Sequence, residues 1–426
     1  MKNLKATLLL TLVFQLIAAA QQDVLIDTNT TSSARRHFKE NLIINTIENN
    51  LTLPLNEENE KNWMAAFWGM ELILYKNKNI ESSLRTALND YENRSENFNR
   101  AALEAAFTLF TDEMIIEHEN ILKRTFIPKH FAMAFNYLQR SKSSAYDYNS
   151  FERLVKTNFP DWRDNPILFM LYQKLLEKQN KIYRPSLVEL LKHDFAKSDY
   201  VFFSIQRKNR DYPGILLIRN ADGKFMRNNS GSIFHVSQLA RSISNLPGYL
   251  TNGNTPQGIF SIQGIDTSNN YFIGRTPNVQ LVLPYEAEAK KFFHSEDSLE
   301  WSENLYKTIL PLSWQNYSPI YEAFYAGKAG RNEIIAHGTT IELDFYAGKP
   351  YYPHTPTLGC LCTTEIWDEV DGKRIYSGQA ELFQEMDKYG IDKGFFVVVE
   401  IDDKESPVTL SDFLLDVLHA EKYFVK

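Results

Sequence analysis

The sequence predicts an α+β protein, with an all-helical N-terminal part followed by a mainly β part and the change near residue 195. Three observations carry this. Apolar residues recur at helical spacing from about Asn41 to Lys192. Near Asp199 the apolar pattern switches to short strand-like runs. Beyond that point Gly, Pro and Asn cluster as turn signals, most densely from Leu246 to Gly264.

Taken in order, the first twenty residues read as a secretory signal peptide. Lys2 and Lys5 precede an apolar run from Leu8 to Ile17, and Ala18-Ala19-Ala20 follows before Gln21. The run falls short of the roughly 20 apolar residues a membrane span needs, and no later stretch approaches that length. The expected mature chain is therefore exported, without a stable membrane span, and begins near Gln21. A formal net charge of −7 with both signs interspersed offers no basic footprint for nucleic acid.

The helical part is expected over 21–195. Asn62 to Tyr75, Phe98 to Phe110, Ile127 to Leu138 and Ile167 to Leu176 place apolar residues on helical faces. Comparable segments return about every 30 to 40 residues, which is compatible with stacked helical pairs of the repeat kind and equally with an irregular bundle. The aromatic cluster of Trp63, Phe67 and Trp68 reads as helix core rather than as a platform for a ligand.

The β part is expected over 196–426. Tyr200 to Ile205, Gly214 to Arg219 and Gly394 to Ile401 read as strands, with turns at Asn209 to Pro213 and Asn220 to Gly223. Ala380 to Tyr389 and Ser411 to His419 have the spacing of helices.

Only two cysteines occur, Cys360 and Cys362. Bridging residues two apart would close a tiny loop, so a structural disulfide is not expected. An unpaired thiol in an exported chain points instead to reactivity, and Cys362 is expected to be a small buried residue on the opposite face from Cys360. A glycine precedes Cys360, which permits the sharp turn that aims backbone N–H groups at a developing oxyanion. The thiol also needs a base, and histidine is the usual partner. His337 closes a short apolar strand 23 residues upstream, while His354 is nearer in sequence. Spacing alone leaves both open. A Cys₂His₂ zinc set from these four residues is a rival with an unusually tight Cys-x-Cys spacing.

His337-Gly338-Thr339 followed by Thr357-Leu358-Gly359-Cys360 resembles the signature of the L,D-transpeptidase (YkuD-like) catalytic domain, and Asn254 to Phe260 is similar to its upstream Thr-Pro-x-Gly-x-aromatic segment. The resemblance covers about residues 198–402. It implies a mainly β catalytic fold with Cys360 as nucleophile, His337 as base, and the Gly338 carbonyl orienting the imidazole. It further implies an oxyanion hole from the N–H groups of Gly359 to Leu361, with Thr357 bracing the loop. The implied reaction is acyl transfer on peptidoglycan stem peptides through a thioester, in the periplasm or at the cell wall, without cofactor or metal. Water as acceptor would make a carboxypeptidase, and a wall-binding scaffold without activity is the remaining alternative. Thr339, Arg331 and His354 are further candidates for substrate contact, although an exposed turn arginine and a loop histidine are the commoner roles for the last two. The helical part, outside the match, is expected to position the chain against the wall or a protein partner. The sequence departs from the family pattern in a long spacer containing Phe345 to Pro353, in Leu358 where a polar residue is frequent, and in Cys362 where Arg or Asn helps hold substrate.

Overall fold

The computed structural model describes residues 25–141, 145–180, 182–340 and 343–424. The expected signal peptide lies outside them. Among the described residues no helix is long and apolar enough to cross a membrane.

The N-terminal half is helical. Helix α1 (Ser32–Asn41) runs on through a wide-turned stretch to Leu51 and is followed by α2 (Glu60–Leu72), α3 (Lys78–Asn89), α4 (Glu96–Leu109), α5 (Ile115–Arg124), α6 (Pro128–Arg140), α7 (Tyr148–Asn158) and α8 (Pro166–Asn180). Their starts are written locally. Asn77, Ser95 and Asp147 cap α3, α4 and α7 by accepting a backbone N–H at the third residue on. Pro128 opens α6, where its missing N–H costs nothing.

Packing puts α2, α4, α6 and α8 in one row and α3, α5 and α7 in another, with α3–α4, α5–α6 and α7–α8 in contact across the rows. Paired helices of this kind are compatible with the 30 to 40 residue return. Small residues make it possible: Ala101, Ala102, Ala105 and Ala106 on α4, and Ala132 and Ala134 on α6, are buried and let neighbouring helices approach.

The second half is built on an eight-stranded closed barrel. Its strands are β1 (Tyr200–Gln206), β2 (Gly214–Asn220), β3 (Val236–Leu239), β4 (Gly258–Asp266), β5 (Asn278–Val282), β6 (Ile335–His337), β7 (Leu361–Thr363) and β10 (Lys393–Glu400), in the order β1-β10-β4-β5-β6-β7-β3-β2. A separate ribbon, β8 (Glu365–Trp367) with β9 (Arg374–Ser377), stands beside it. Most pairs are antiparallel, but β1 with β10 and β6 with β7 are parallel. The chain is thus α+β. The expected strands at 200, 214 and 394 are present to within a residue or two, and the helix expected at 380–389 is Gly378–Lys388.

Alternate residues of the barrel strands face two cores. Phe202, Leu216, Phe260, Leu281 and Val398 share one, with Leu382 and Met386 of the Gly378–Lys388 helix. Val201, Phe203, Leu217, Ile259 and Val397 share the other. That second core also holds Leu187, Leu190 and Leu191, so the short helix Leu187–Leu191 packs with the barrel although it precedes residue 195. In the other direction Ile243, Leu246, Tyr249, Leu250, Tyr346 and Tyr351 are buried in the helical core. The halves are therefore not separated by a linker.

The row α2, α4, α6, α8 is the one tied to the barrel half, and each helix makes a polar tie. The Tyr346 hydroxyl donates to the Leu72 carbonyl at 2.7 Å, Asn252 Nδ2 to Glu104 Oε2 at 3.1 Å, and Asn136 Nδ2 to the Tyr249 hydroxyl oxygen at 2.9 Å. Lys174 pairs with Glu322 at 3.4 Å.

Candidate functional site

The parallel pairing of β6 with β7 sets Ala336 beside Leu361 and His337 beside Cys362. It brings the end of the His-Gly segment next to the cysteine loop although His337 and Cys360 stand 23 positions apart. Cys360 precedes β7 and lines a cavity of about 390 Å³ together with His337, Thr339, Thr357 and Arg331.

The cysteine loop is braced from both sides. The Gly359 N–H donates to Thr357 Oγ1 at 3.0 Å, and that hydroxyl donates to the Cys360 carbonyl at 2.9 Å. Thr255 Oγ1, from the upstream segment, donates to the Gly359 carbonyl at 2.9 Å. Gly359 has φ +119°, and a Cβ there would stand 2.0 Å from Arg331 Nη2. Only glycine fits both demands. Thr357 braces the loop as the sequence implied. The Gly359 N–H, however, is committed to Thr357, which removes it from the expected oxyanion donors.

Arg331 is not an exposed turn residue. It is 7% exposed, and its guanidinium donates to the carbonyls of Gly248, Gly253 (2.6 Å) and Asn254 (2.8 Å). Burial lowers its pKa to about 10, which keeps it cationic at neutral pH. The charge lies behind Gly359 and is committed to backbone, so it anchors the loop 246–254 to the cysteine loop. That same loop is held from the helical side through Asn252 and Tyr249.

His337 is 4% exposed, and its Nδ1 donates to the Gly338 carbonyl. A carbonyl can only accept, so Nδ1 carries the proton and Nε2 is the basic nitrogen. Burial drops the imidazole to about 4, so it is neutral and able to take a proton at pH 7. Gly338 gives the room, since a Cβ there would stand 2.1 Å from Glu365 Cδ and displace that carboxyl. The Cys360 thiol is pushed up by burial, against the pull of the Ile335 N–H, 3.5 Å from Sγ, and of Arg331. Its Sγ also lies 3.6 Å from the Glu333 carbonyl. The resting pair is neutral thiol and neutral imidazole, not thiolate and imidazolium.

The other candidates divide. Thr339 lines the cavity, but its hydroxyl donates to the Phe272 carbonyl at 3.1 Å and so fixes the cavity wall. Leu361 is fully buried in the barrel core. His354 does not line the cavity; its Nε2 lies 3.1 Å from Ser237 Oγ. Cys362 is fully buried, unbridged, and absent from the cavity wall. Opposite faces of one strand is not the reason, because residues i and i+2 of a strand share a face. The two separate because β7 begins only at Leu361, after the turn at Gly359. Among the described residues no three His, Cys, Asp or Glu side chains are grouped to hold a metal ion.

No protein-family model, curated protein or solved structure matches this chain. Its site is read from its own geometry. That geometry adds two residues the sequence did not offer as ligand contacts, Trp68 and Leu72 of α2, which line the cavity from the helical half. Trp63 and Phe67 are core, at 4% and 0% exposed, but Trp68 is half-buried at the wall. The one-residue step that turned Trp68 off the core face was present in the sequence. Its opposite number, 292 residues away, was not.

Proposed function

We propose that this chain is an exported cysteine acyltransferase of the L,D-transpeptidase (YkuD-like) kind acting on peptidoglycan stem peptides, in the periplasm or at the cell wall. The observation that carries the reading is the convergence of Cys360 and His337 on one cavity, with the Gly338 carbonyl on the imidazole and Thr357 bracing the cysteine loop.

In the proposed reaction a stem peptide enters with the carbonyl of its penultimate residue over Cys360 Sγ. Because the thiol rests protonated, attack and proton transfer are coupled. Sγ forms the bond to carbon while the S–H proton passes to His337 Nε2. The Gly338 carbonyl stabilises the imidazolium that forms. Collapse breaks the C–N bond, and His337 returns the proton to the departing D-amino acid, leaving a thioester on Cys360. The amine of a second stem peptide then attacks the thioester in a transpeptidase, and water does so in a carboxypeptidase. No step requires a cofactor. The helical half would hold the site to the wall or to a protein partner as well as bracing its loops.

Muropeptide analysis of sacculi treated with the protein tests this reading. New crosslinked or D-amino-acid-exchanged products indicate transpeptidation, and shortened stems indicate hydrolysis. Sacculi unchanged by the wild type, or changed equally by Cys360→Ala, would remove it.

A further inference from the structure

The proposed acyl transfer leaves one buried carboxyl beside the base without a task. Glu365 is 1% exposed and stands on β8, in the ribbon outside the barrel. Burying a carboxyl is costly unless donors hold it. Glu365 and Trp367, two residues apart on one face of the strand, both meet the His-Gly segment. The Trp367 indole N–H donates to the Thr339 carbonyl at 3.0 Å. The Glu365 carboxyl lies so close to Gly338 that a Cβ there would stand 2.1 Å from Cδ, 2.4 Å from Oε1 and 2.5 Å from Oε2. The absence of a side chain at 338 is what lets the carboxyl reach the backbone beside His337.

Strand β9 holds the carboxyl from behind. Ser377 pairs with Glu365 across the ribbon, and its hydroxyl donates to Oε1 at 2.5 Å, a separation typical of a hydrogen bond to an ionised oxygen. The Ser377 oxygen in turn accepts from the Ala380 N–H at 2.9 Å, which leaves its own proton for Glu365. Burial pushes the carboxyl's pKa up, while the Ser377 and Thr276 hydroxyls, the Arg374 cation and the Thr339 N–H pull it back down. Oε2 makes no closed hydrogen bond in the resting structure, so it has capacity for a donor that strengthens during the reaction.

A single peptide unit joins this carboxyl to the imidazole. The Gly338–Thr339 peptide is trans, so its C=O and N–H point to opposite sides. The carbonyl accepts from His337 Nδ1, and the N–H acts on Glu365. A negative charge at the N–H end polarises the amide and makes its carbonyl a stronger acceptor. That gain is greatest when the imidazole becomes imidazolium.

We propose that Glu365 is a positioning residue for the base: through the Gly338–Thr339 peptide it holds the Nδ1 proton of His337 and stabilises the imidazolium formed as Cys360 is acylated. Carboxylate, peptide and imidazole stand in series, and the β8–β9 ribbon carries the first of them. The proposal rests on the acyl transfer at Cys360.

A double-mutant cycle on the full-length protein tests it, with the rate of Cys360 acylation by a tetrapeptide stem followed at pH 8. Glu365→Gln keeps the size and removes the charge. It is expected to slow acylation at saturation about 10- to 100-fold, with KM within about twofold of wild type, the scale on which loss of a partner behind a functional histidine is felt. In the His337→Ala background, where no imidazole remains to be stabilised, the same substitution should change the residual rate by less than about twofold. Glu365→Asp keeps the charge and is expected to fall between wild type and Glu365→Gln. The melting temperature and the rate of Cys360 alkylation by iodoacetamide at pH 9, neither lowered, show that the variants fold with the site intact; should Glu365→Gln not fold, Glu365→Asp carries the same cycle. An equal loss in both backgrounds makes Glu365 a prop of the fold and overturns the proposal, as does an undiminished rate in Glu365→Gln. Absence of acylation in the wild type overturns the parent reading and the role of Glu365 with it.

Discussion

Replacing Arg331 by methionine tests whether this residue is the clamp between the two loops that shape the site. Three carbonyls, of Gly248, Gly253 and Asn254, accept from its guanidinium. Hydrogen bonds to a charged group contribute about 1.5–3 kcal/mol each, and an unpaired buried carbonyl costs about 1–3 kcal/mol. Methionine fills much of the volume but satisfies none of the three. Removal of the buried cation also relieves its desolvation, which lowers its pKa to about 10. The balance predicts a loss of about 3–5 kcal/mol, measured by urea unfolding at pH 7. Arg331→Lys keeps a charge but not the planar fork and should fall between wild type and methionine. Because Gly359 packs on Nη2, acyl transfer by the folded fraction of the methionine variant should drop at least about 100-fold, the scale expected for displacing a reacting group by an ångström. Stability within about 1 kcal/mol of wild type, with activity retained, would refute the clamp.

Gly359→Ala should be as damaging to activity for a different reason, because the new Cβ meets Arg331 Nη2 at 2.0 Å and the Gly253 carbonyl at 2.6 Å at a backbone angle that alanine resists; near-normal turnover in this variant would show that the loop is freer than described. The pH dependence of stability carries a sign. A histidine whose pKa falls from 6.5 to about 4 on folding binds fewer protons than in the unfolded chain between those values, so stability is lost as pH falls from about 6.5 to 4. For His337 this amounts to roughly 2 kcal/mol at pH 5. Buried carboxyls such as Glu71 and Glu104, whose pKa values are raised, act in the opposite direction, so the comparison is differential. The drop in stability from pH 7 to pH 5 should be smaller in His337→Asn than in wild type by about that amount, and an equal drop would contradict a buried neutral imidazole. Alkylation of Cys360 should keep rising through pH 9 without levelling, because burial raises the thiol above its ordinary range; a plateau below pH 7 would mean a resting thiolate.

The sequence singled out the residues of the candidate site and left their support obscure. Cys360, His337 and the glycines beside them are local signals, and the pairing of β6 with β7 sets their two segments side by side. The strands β1, β2 and β10 were legible because each is a continuous apolar run of seven or eight residues, buried on both faces. What failed was long-range. Arg331 sits between Gly330 and Asn332 and so reads as an exposed turn, yet its acceptors lie about 80 residues earlier in the chain. Trp68 sits in an aromatic run and so reads as core, and only the packing of α2 against the barrel half turns it to the cavity. The boundary at 195 marks the change of local period, but the apolar contacts cross it in both directions, through Leu187 to Leu191 on one side and Tyr249 and Leu250 on the other.

In the proposed reaction Cys360 takes an acyl group from a stem peptide with His337 as its base. Intact-mass measurement of the protein after brief incubation with a tetrapeptide stem and acid quenching tests it most directly. The expected result is an adduct equal to the tripeptide acyl group, located on Cys360, absent in Cys360→Ala and strongly slowed in His337→Ala. No adduct with the wild type under conditions where iodoacetamide modifies Cys360, or an adduct that persists in Cys360→Ala, would contradict it.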